Sequence, residues 1–220
     1  MRSDLFDLSG LDTELASVDA CFFCLGVSSV GMTEAEYRRI TFELTTVTAQ
    51  RLAGLNPGLI FVYVSGAGTD SSERGRSMWA RIKGQTENAL LRLPIRAAYM
   101  FRPGVIVPLH GIRSKTPVYR WLYIALTLFL PFLQRTFPTH VTTTERLGRA
   151  MLQVARVGTT KRVLETSDIN LLVNGAQYQA LRALRRGPND LTRRCGWCEV
   201  DGMTMTGAVC FCSLETSGDT

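Results

Sequence analysis

The first two-thirds of the chain alternates short apolar runs with longer segments in which apolar residues recur at helical spacing. Three runs are apolar almost throughout, as in strands buried on both faces, and they span residues 18–25, 59–64 and 95–101. Between them, residues 33–55 and 77–93 predict helices. This order, with short connections, is typical of a parallel sheet with right-handed crossovers. The pattern therefore predicts an α/β fold with flanking helices.

Two capping boxes predict where helices begin. Thr33 with Glu36 opens the first predicted helix, and Thr142 with Glu145 predicts another that continues to Val157. The apolar stripe of the first helix is predicted to consist of Tyr37, Ile40, Leu44, Val47 and Leu52.

The later part of the chain is less regular. Residues 121–133 form an apolar run interrupted by Pro131, too short to span a bilayer, so we expect a buried or interfacial helix, with membrane contact as the alternative. Residues 161–165 predict a last short strand. Beyond about Ile169 little periodicity remains. We therefore predict one α/β domain over residues 1–169 and an irregular tail over 170–220.

Composition narrows the class of protein. The chain has 220 residues, 45% of them hydrophobic, which excludes a disordered chain and fits a globular one. The net charge of +6 comes from scattered Arg without a nucleic-acid-binding motif, so no nucleic-acid partner is predicted. The polar start, Met1 to Gly10, is no secretory signal, and the six Cys are few, so a reducing, cytoplasmic setting is expected.

The tail cysteines are the only candidates for a metal site. They form two pairs, Cys195 with Cys198 and Cys210 with Cys212. The second pair has a single intervening residue, where zinc ribbons have two or more. Thiols without a metal are therefore predicted.

The carboxyl ends of the predicted strands are where a ligand is expected, because parallel sheets bind ligands there. These ends are Leu25-Gly26, Ser65-Gly66 and Arg102-Pro103-Gly104. Gly66-Ala67-Gly68 resembles the start of a dinucleotide fingerprint, but the third glycine is replaced by Ser71. The two glycines therefore predict a turn.

Ser65, Trp79 and Lys83 form the most informative set. In a reductase that uses a nicotinamide cofactor, a strand-end Ser orients a carbonyl and a Tyr four residues before a Lys supplies the proton. The Lys binds the cofactor ribose and lowers the pKa of the Tyr. This chain, which has only three Lys, has Lys83 at that position and Trp79 in place of the Tyr. An indole N–H donates a hydrogen bond but is no acid or base at neutral pH. The alternative to a catalytic set is that Trp79 and Lys83 are simply an aromatic residue and an exposed cation on one helix.

Four segments in this order carry a resemblance to a known family: residues 18–26, 64–68, 83–87 and 101–105. Together they resemble the later half of an atypical or extended short-chain dehydrogenase/reductase. The nearest group is the NAD(P)-binding, NAD-dependent epimerase/dehydratase-like proteins of the Tat-interacting-protein oxidoreductase branch. The resemblance covers roughly residues 3–169 and implies a partial NAD(P)-binding Rossmann-type parallel sheet.

The resemblance also implies roles for individual residues. Ser65 corresponds to the substrate-orienting position, Lys83 to the ribose-binding lysine, and Trp79 to the catalytic Tyr. The implied cofactor-binding positions, for NAD or NADP, are Asp4, Leu5, Leu25, Gly26, Lys83, Arg102, Pro103, Gly104 and Val105. The implied activity is that of an oxidoreductase or epimerase acting on an unidentified small molecule. A non-catalytic NAD(P)-binding regulatory or interaction protein is the alternative, because Trp79 replaces the Tyr.

The N-terminus departs from the family pattern. Such proteins begin with a strand, a glycine-rich turn and a helix, followed by a second βα unit, whereas this chain begins at the end of the third strand. At about 30 residues per βα unit, on the order of 60 residues are absent, with the pyrophosphate-binding glycines among them. We therefore expect a truncated form of a longer protein.

Overall fold

The structure, a computed structural model, describes Phe6, Leu8, residues 10–107 and 140–174, and the backbone of residues 208–211. It divides into two units, one with residues 1–100 and 190–220 and one with residues 101–189. Asp4, Leu5, the apolar run 121–133 and the side chains of the tail cysteines lie outside the described residues. The predicted boundary between residues 169 and 170 stays a prediction.

A parallel sheet forms the centre of the first unit. Its strands are β1 (Ala20–Phe23), β2 (Ile60–Val64) and the first residues of β3 (Ala97–Arg102), with a fourth strand from the tail, Ala208–Phe211, called β7 in chain order. Their order is β3-β2-β1-β7. Ala20 lies opposite Ile60 on one side and Ala208 on the other. The predicted α/β fold with a parallel sheet is confirmed, while the strand in the tail was not predicted.

The two central strands are apolar because both of their faces are covered. Every residue of β1 is buried, as are the first four residues of β2. Phe23 of β1 stacks on Phe61 of β2, with ring centroids 5.9 Å apart. A strand covered on both faces has no solvent side, so its sequence does not alternate.

Helices flank the sheet as predicted. A short helix α1 (Asp12–Ala16) precedes β1, and the predicted helix 33–55 is a continuous segment of α2 (Glu34–Arg38), a π-helical turn (Arg39–Glu43) and α3 (Leu44–Leu55). The predicted capping box is confirmed: the Thr33 hydroxyl accepts from the Glu36 N–H, and the Glu36 carboxylate accepts from the Thr33 N–H at 2.8 Å. The next helix, α4 (Met78–Leu91), confirms the prediction over 77–93.

One residue of the predicted apolar stripe is wrong. The stripe crosses the π-helical turn, in which the Leu44 N–H donates to the Arg39 carbonyl, one residue further back than in an α-helix. The buried face of α3 consists of Leu44, Thr45, Thr48, Ala49, Leu52 and Ala53, and Val47 lies on the opposite side of this helix. Val47, predicted to be buried, is 41% exposed, and Thr48 lies in the core instead.

The second unit pairs β4 (Val105–Val107) in parallel with β5 (Val141–Thr143), followed by α5 (Thr144–Val157), β6 (Val163–Glu165) and α6 (Thr166–Asn174). The predicted capping residue is wrong by one position. Thr143 caps α5 by accepting from the Arg146 N–H, while the Thr142 hydroxyl donates to Asn170 at 2.9 Å inside the core. Thr142 is the middle residue of a buried strand, so its hydroxyl is committed to that partner.

Within residues 10–107 and 140–174, no helix combines the length and the apolar character needed to cross a bilayer. The same part of the chain contains no cluster of three or more side chains that could hold a metal ion.

Candidate functional site

Ser65 and Lys83 meet at the carboxyl end of β2. Ser65 directly follows this strand, and Lys83 lies on α4, the helix that follows it in the chain. The Lys83 ammonium donates a hydrogen bond to the Ser65 carbonyl oxygen. Ser65 is 5% exposed and Lys83 is half-buried. The fold thus brings together two of the three residues that the sequence pattern singled out.

A third residue, Glu87, completes this cluster and was missed by sequence analysis. The Ser65 hydroxyl donates to a Glu87 carboxylate oxygen at 2.5 Å. Glu87 is only 1% exposed and lies one helical turn beyond Lys83, on the same side of α4. The four-residue spacing of Lys83 and Glu87 was the available signal, but it also fits an ordinary surface ion pair.

The surroundings of Lys83 act on its pKa in two opposite directions. Burial lowers the pKa of Lys83 below its ordinary value, because removing an ammonium from water disfavours the charged form. The negative charge of Glu87 acts in the opposite direction and favours the ammonium. Perturbed pKa values of this kind occur at functional sites and also in structural ion-pair networks.

The predicted turn at Gly66 and Gly68 is confirmed and packs against α4. Gly68 has a φ of +85°, a conformation that favours glycine, and the Thr69 N–H closes the turn onto the Gly66 carbonyl at 3.3 Å. A Cβ on Gly66 would lie 3.6 Å from the Lys83 Nζ. A Cβ on Gly68 would lie 3.3 Å from the Trp79 indole. The turn therefore lies directly over the two helical residues of the candidate site.

The loop that follows the turn is fixed to the same helix. The Asp70 N–H donates to the Ala80 carbonyl at 3.1 Å, and the Asp70 carboxylate accepts from the Gly75 N–H at 2.6 Å. Hydrogen bonds to the carboxylate lower the pKa of Asp70, with the Ser72 hydroxyl as the largest contributor and the Gly75 N–H next. Gly84 allows the close approach, since a Cβ there would lie 1.8 Å from the Asp70 carbonyl oxygen.

Trp79 occupies the position at which the family resemblance implies a Tyr. It is half-buried against the Gly68 turn. Three tyrosines of this unit, Tyr37, Tyr63 and Tyr99, are buried. Burial raises the pKa of Tyr37 and that of Tyr63, so these two hydroxyls stay neutral at physiological pH. Neither replaces the missing surface Tyr as a proton donor.

Leu25 and Gly26 lie at the same edge of the sheet as Ser65. Phe23 lies opposite Tyr63, so two further residues bring β1 to Leu25 and β2 to Ser65. Leu25 is buried, whereas Gly26 is exposed and a Cβ there would meet nothing within 4 Å. The backbone at Gly26 is thus accessible to a ligand.

The predicted loop Arg102 to Val105 belongs to the second unit and is held by that unit's own residues. The Arg102 guanidinium pairs with Glu165 at 3.2 Å, and Pro103 is buried. The Gly104 N–H donates to the Thr166 hydroxyl at 2.8 Å, and a Cβ on Gly104 would lie 2.5 Å from the His140 carbonyl oxygen. The roles of these residues beside a nicotinamide stay a prediction, as do those of Asp4 and Leu5, which are not among the described residues.

Comparisons with known proteins give little beyond the fold. No protein-family model matches the chain, and no curated protein matches it. Among solved structures, the enzyme WbmF of Bordetella bronchiseptica in complex with NAD+ is similar, with a TM-score of 0.45 and 14% identity over 88% of this chain and 67% of that one. A likeness at this level does not transfer the function of that enzyme to this chain.

Proposed function

We propose that the chain is an NAD(P)-binding protein of the oxidoreductase or epimerase type, acting on an unidentified small molecule. The observation that carries the proposal is the meeting of Ser65 and Lys83 at the carboxyl end of β2. Ligands of parallel α/β sheets bind at this edge. The cluster has the residue types that nicotinamide-dependent reductases use to orient a substrate and to bind the cofactor ribose.

The residues present fit such a cofactor. An ammonium has three N–H donors, and the bond to the Ser65 carbonyl uses one of them, so Lys83 can also donate to vicinal ribose hydroxyls. The exposed backbone of Gly26 allows a planar group to approach the strand end closely. When bound, the nicotinamide ring supplies or accepts a hydride. Ser65 and Lys83 would hold the ribose and the substrate beside it.

A second candidate function follows from Trp79. An indole N–H can donate a hydrogen bond but cannot exchange a proton at neutral pH, and here the ring packs against the Gly68 turn. The buried Tyr37 and Tyr63 do not supply the missing acid. These observations favour a protein that binds NAD(P) without turnover and acts as a regulatory or interaction protein.

Calorimetric titration with NADH and NADPH tests the proposal that both candidates share. We expect the chain to bind one of the two nucleotides and Lys83→Met to lose at least about tenfold in affinity, because a charge-assisted hydrogen bond contributes on the order of 1.5–3 kcal/mol. Lys161→Met is the matched control, since Lys161 is an exposed lysine whose partner is Asp168. If neither nucleotide binds, or if both substitutions weaken binding equally, the proposed site is wrong.

A further inference from the structure

Four hydroxyl side chains of the full sequence have an arginine three residues before them. They are Thr41, Ser77, Thr116 and Thr159. Protein kinases that prefer basic substrates recognise acceptors of this kind, because carboxylates of the kinase bind an arginine at a fixed distance from the reacting hydroxyl. The pattern is short and also occurs by chance, so the accessibility of each hydroxyl in the fold decides between them.

The fold separates these acceptors by their exposure. Thr41 has two arginines within the three residues before it and is the best acceptor by sequence, but it is only 7% exposed inside the π-helical turn. Thr159 is half-buried, and Thr116 lies outside the described residues. Ser77 is exposed and directly precedes α4. Among the described acceptors, Ser77 is therefore the one that an enzyme reaches most easily.

The Ser77 hydroxyl forms no hydrogen bond within the part of the chain that the structure describes. Ser77 occupies the N-cap position of α4, where a serine usually accepts from the first turn, but its side chain makes no such bond. Other hydroxyls of this loop are engaged: that of Thr69 donates to the Gly66 carbonyl at 2.7 Å, and that of Ser72 donates to Asp70 at 2.6 Å. A modification of Ser77 therefore breaks no hydrogen bond.

The charges around this serine suit an enzyme that prefers basic substrates. Over residues 74–86 all four charged side chains are basic. Arg74 and Arg76 are exposed, and neither forms an ion pair with an acid of the described residues. The nearest acid before them, Glu73, accepts a hydrogen bond from a side-chain amide of α4 at 2.6 Å. Two arginines are thus available to a kinase on the N-terminal side of the acceptor.

Arg81 holds the acceptor segment in front of the helix. Its guanidinium donates to the Gly75 carbonyl at 2.9 Å and to the Arg76 carbonyl at 3.2 Å. Ser77 has an extended backbone, with φ of −78° and ψ of 115°. The first turn of α4 lacks a side-chain cap, and an uncapped helix end opens at little cost. The residues on both sides of the acceptor are therefore accessible to an enzyme.

We propose that Ser77 is a phosphorylation site for a protein kinase that selects arginine before its acceptor, and that the phosphate caps α4. The Ser77 oxygen attacks the γ-phosphorus of ATP and forms a new O–P bond, while the bond between that phosphorus and the β–γ bridging oxygen breaks. ADP leaves with the electron pair of the broken bond, and the hydroxyl proton passes to a base of the kinase. This inference does not rest on the proposed nucleotide-binding function.

The phosphate would stabilise the beginning of α4. It carries a charge of about −1.5 to −2 at neutral pH and presents three acceptor oxygens. The first turn of α4 contains no acid, so no carboxylate of that turn balances the positive end of the helix dipole. Phosphate oxygens at Ser77 can accept from the N–H groups that the hydroxyl leaves uncapped.

Phosphorylation of the full chain in vitro tests the proposal. We expect the catalytic subunit of cAMP-dependent protein kinase, with Mg-ATP, to phosphorylate Ser77, which fragment mass spectrometry locates. Arg74→Gln should lower kcat/KM at Ser77 at least about tenfold, because a charge-assisted contact with the kinase is lost. Arg92→Gln is the matched control, since Arg92 is an exposed arginine at the other end of α4, and it should leave the rate unchanged.

A synthetic peptide of residues 36–45 tests the role of the fold. The peptide keeps both arginines without the packing, so the same kinase should phosphorylate it at Thr41, whereas Thr41 of the folded chain should stay unmodified. Absence of phosphate at Ser77 overturns the proposal. It is also overturned if Arg74→Gln reacts as fast as the wild type, or if Thr41 of the folded chain reacts as fast as Ser77.

Urea unfolding tests the capping role separately. Ser77→Ala should leave the unfolding midpoint unchanged, because the hydroxyl caps nothing. The phosphorylated wild type should have an unfolding constant about two- to fivefold lower than the unmodified chain, and high salt should reduce the difference. A phosphorylated chain that unfolds as easily as the unmodified one overturns the capping role.

Discussion

Replacing Gly84 by alanine tests whether the loop over the candidate site depends on close contact with α4. A Cβ at this position would lie 1.8 Å from the Asp70 carbonyl oxygen and 2.6 Å from its carbonyl carbon. Both atoms belong to the backbone, so no side-chain rotation relieves the overlap. The loop must therefore move away from the helix, or the helix from the loop.

The size of the effect follows from the contacts that would be lost. A retreat of about 1.5 Å is needed to restore ordinary van der Waals distance. Such a movement breaks the bond from the Asp70 N–H to Ala80 and the bond from Asn88 to the Ser71 carbonyl, now 3.1 and 3.0 Å long. Each bond contributes about 1 kcal/mol and overpacking costs about 1–3 kcal/mol, against a gain of about 1 kcal/mol in helix propensity. We expect a net loss of about 2–4 kcal/mol in the free energy of unfolding.

Urea unfolding followed by circular dichroism measures this loss. The matched control is Gly54→Ala on α3, where a Cβ would meet nothing within 4 Å, so this substitution should be neutral or stabilise by up to about 1 kcal/mol. If the two substitutions change stability equally, the close approach at Gly84 does not exist in solution. Gly84→Ala should also weaken nucleotide binding, because the displaced loop continues from the Gly66–Gly68 turn above Lys83.

Three further predictions concern single side chains of the first unit. Thr33→Ala removes the capping box with Glu36 and should lower the free energy of unfolding, measured with urea, by about 0.5–2 kcal/mol. Thr33→Ser keeps the hydroxyl and should retain the wild-type free energy of unfolding. Because burial lowers the pKa of Lys83 in the folded protein, the unfolded chain binds more protons between that pKa and the ordinary value of 10.5, so stability rises with pH in this interval. Urea unfolding across that interval should show a flatter profile for Lys83→Met, and an unchanged slope would contradict the buried ammonium. Trp79→Tyr should raise NADPH-dependent turnover of a panel of carbonyl compounds by at least about a hundredfold if the chain is catalytic, and no gain would favour the non-catalytic alternative.

The sheet and its helices could be predicted because their signals are local. The run at 59–64 is apolar throughout, the run at 18–25 is interrupted only by Asp19, and glycines or a proline flank both of them. The structure places β1 and β2 within these runs. The side chains of Thr33 and Glu36 encode the start of α2 in the same local way. The hydrophobic pattern therefore predicts a helix or strand correctly when residues close in sequence determine where it begins, where it ends and which side is buried.

Features that depend on tertiary packing were not recovered. Val47 is exposed because the buried face of α3 includes Thr45 and Thr48, two polar residues whose burial the apolar pattern does not indicate. The capping of α5 by Thr143 instead of Thr142 follows from Asn170, which accepts a hydrogen bond from the Thr142 hydroxyl from 28 residues away. In both cases the burial or hydrogen bonding of the residue is determined by packing with other parts of the chain. Local sequence patterns do not specify that packing.

The candidate site shows how a distant contact changes the meaning of a local pattern. Lys83 and Glu87 have the spacing of an exposed ion pair, and by spacing alone the pair predicts a solvated helix face. A glycine in the middle of a helix is unfavourable by about 1 kcal/mol relative to alanine, so Gly84 between them indicates that another backbone passes close by. That backbone is the loop after β2, whose turn covers Lys83. A glycine beside a lysine on a helix that follows a buried strand therefore favours a buried cluster over a surface pair, and the Gly84→Ala variant tests this inference.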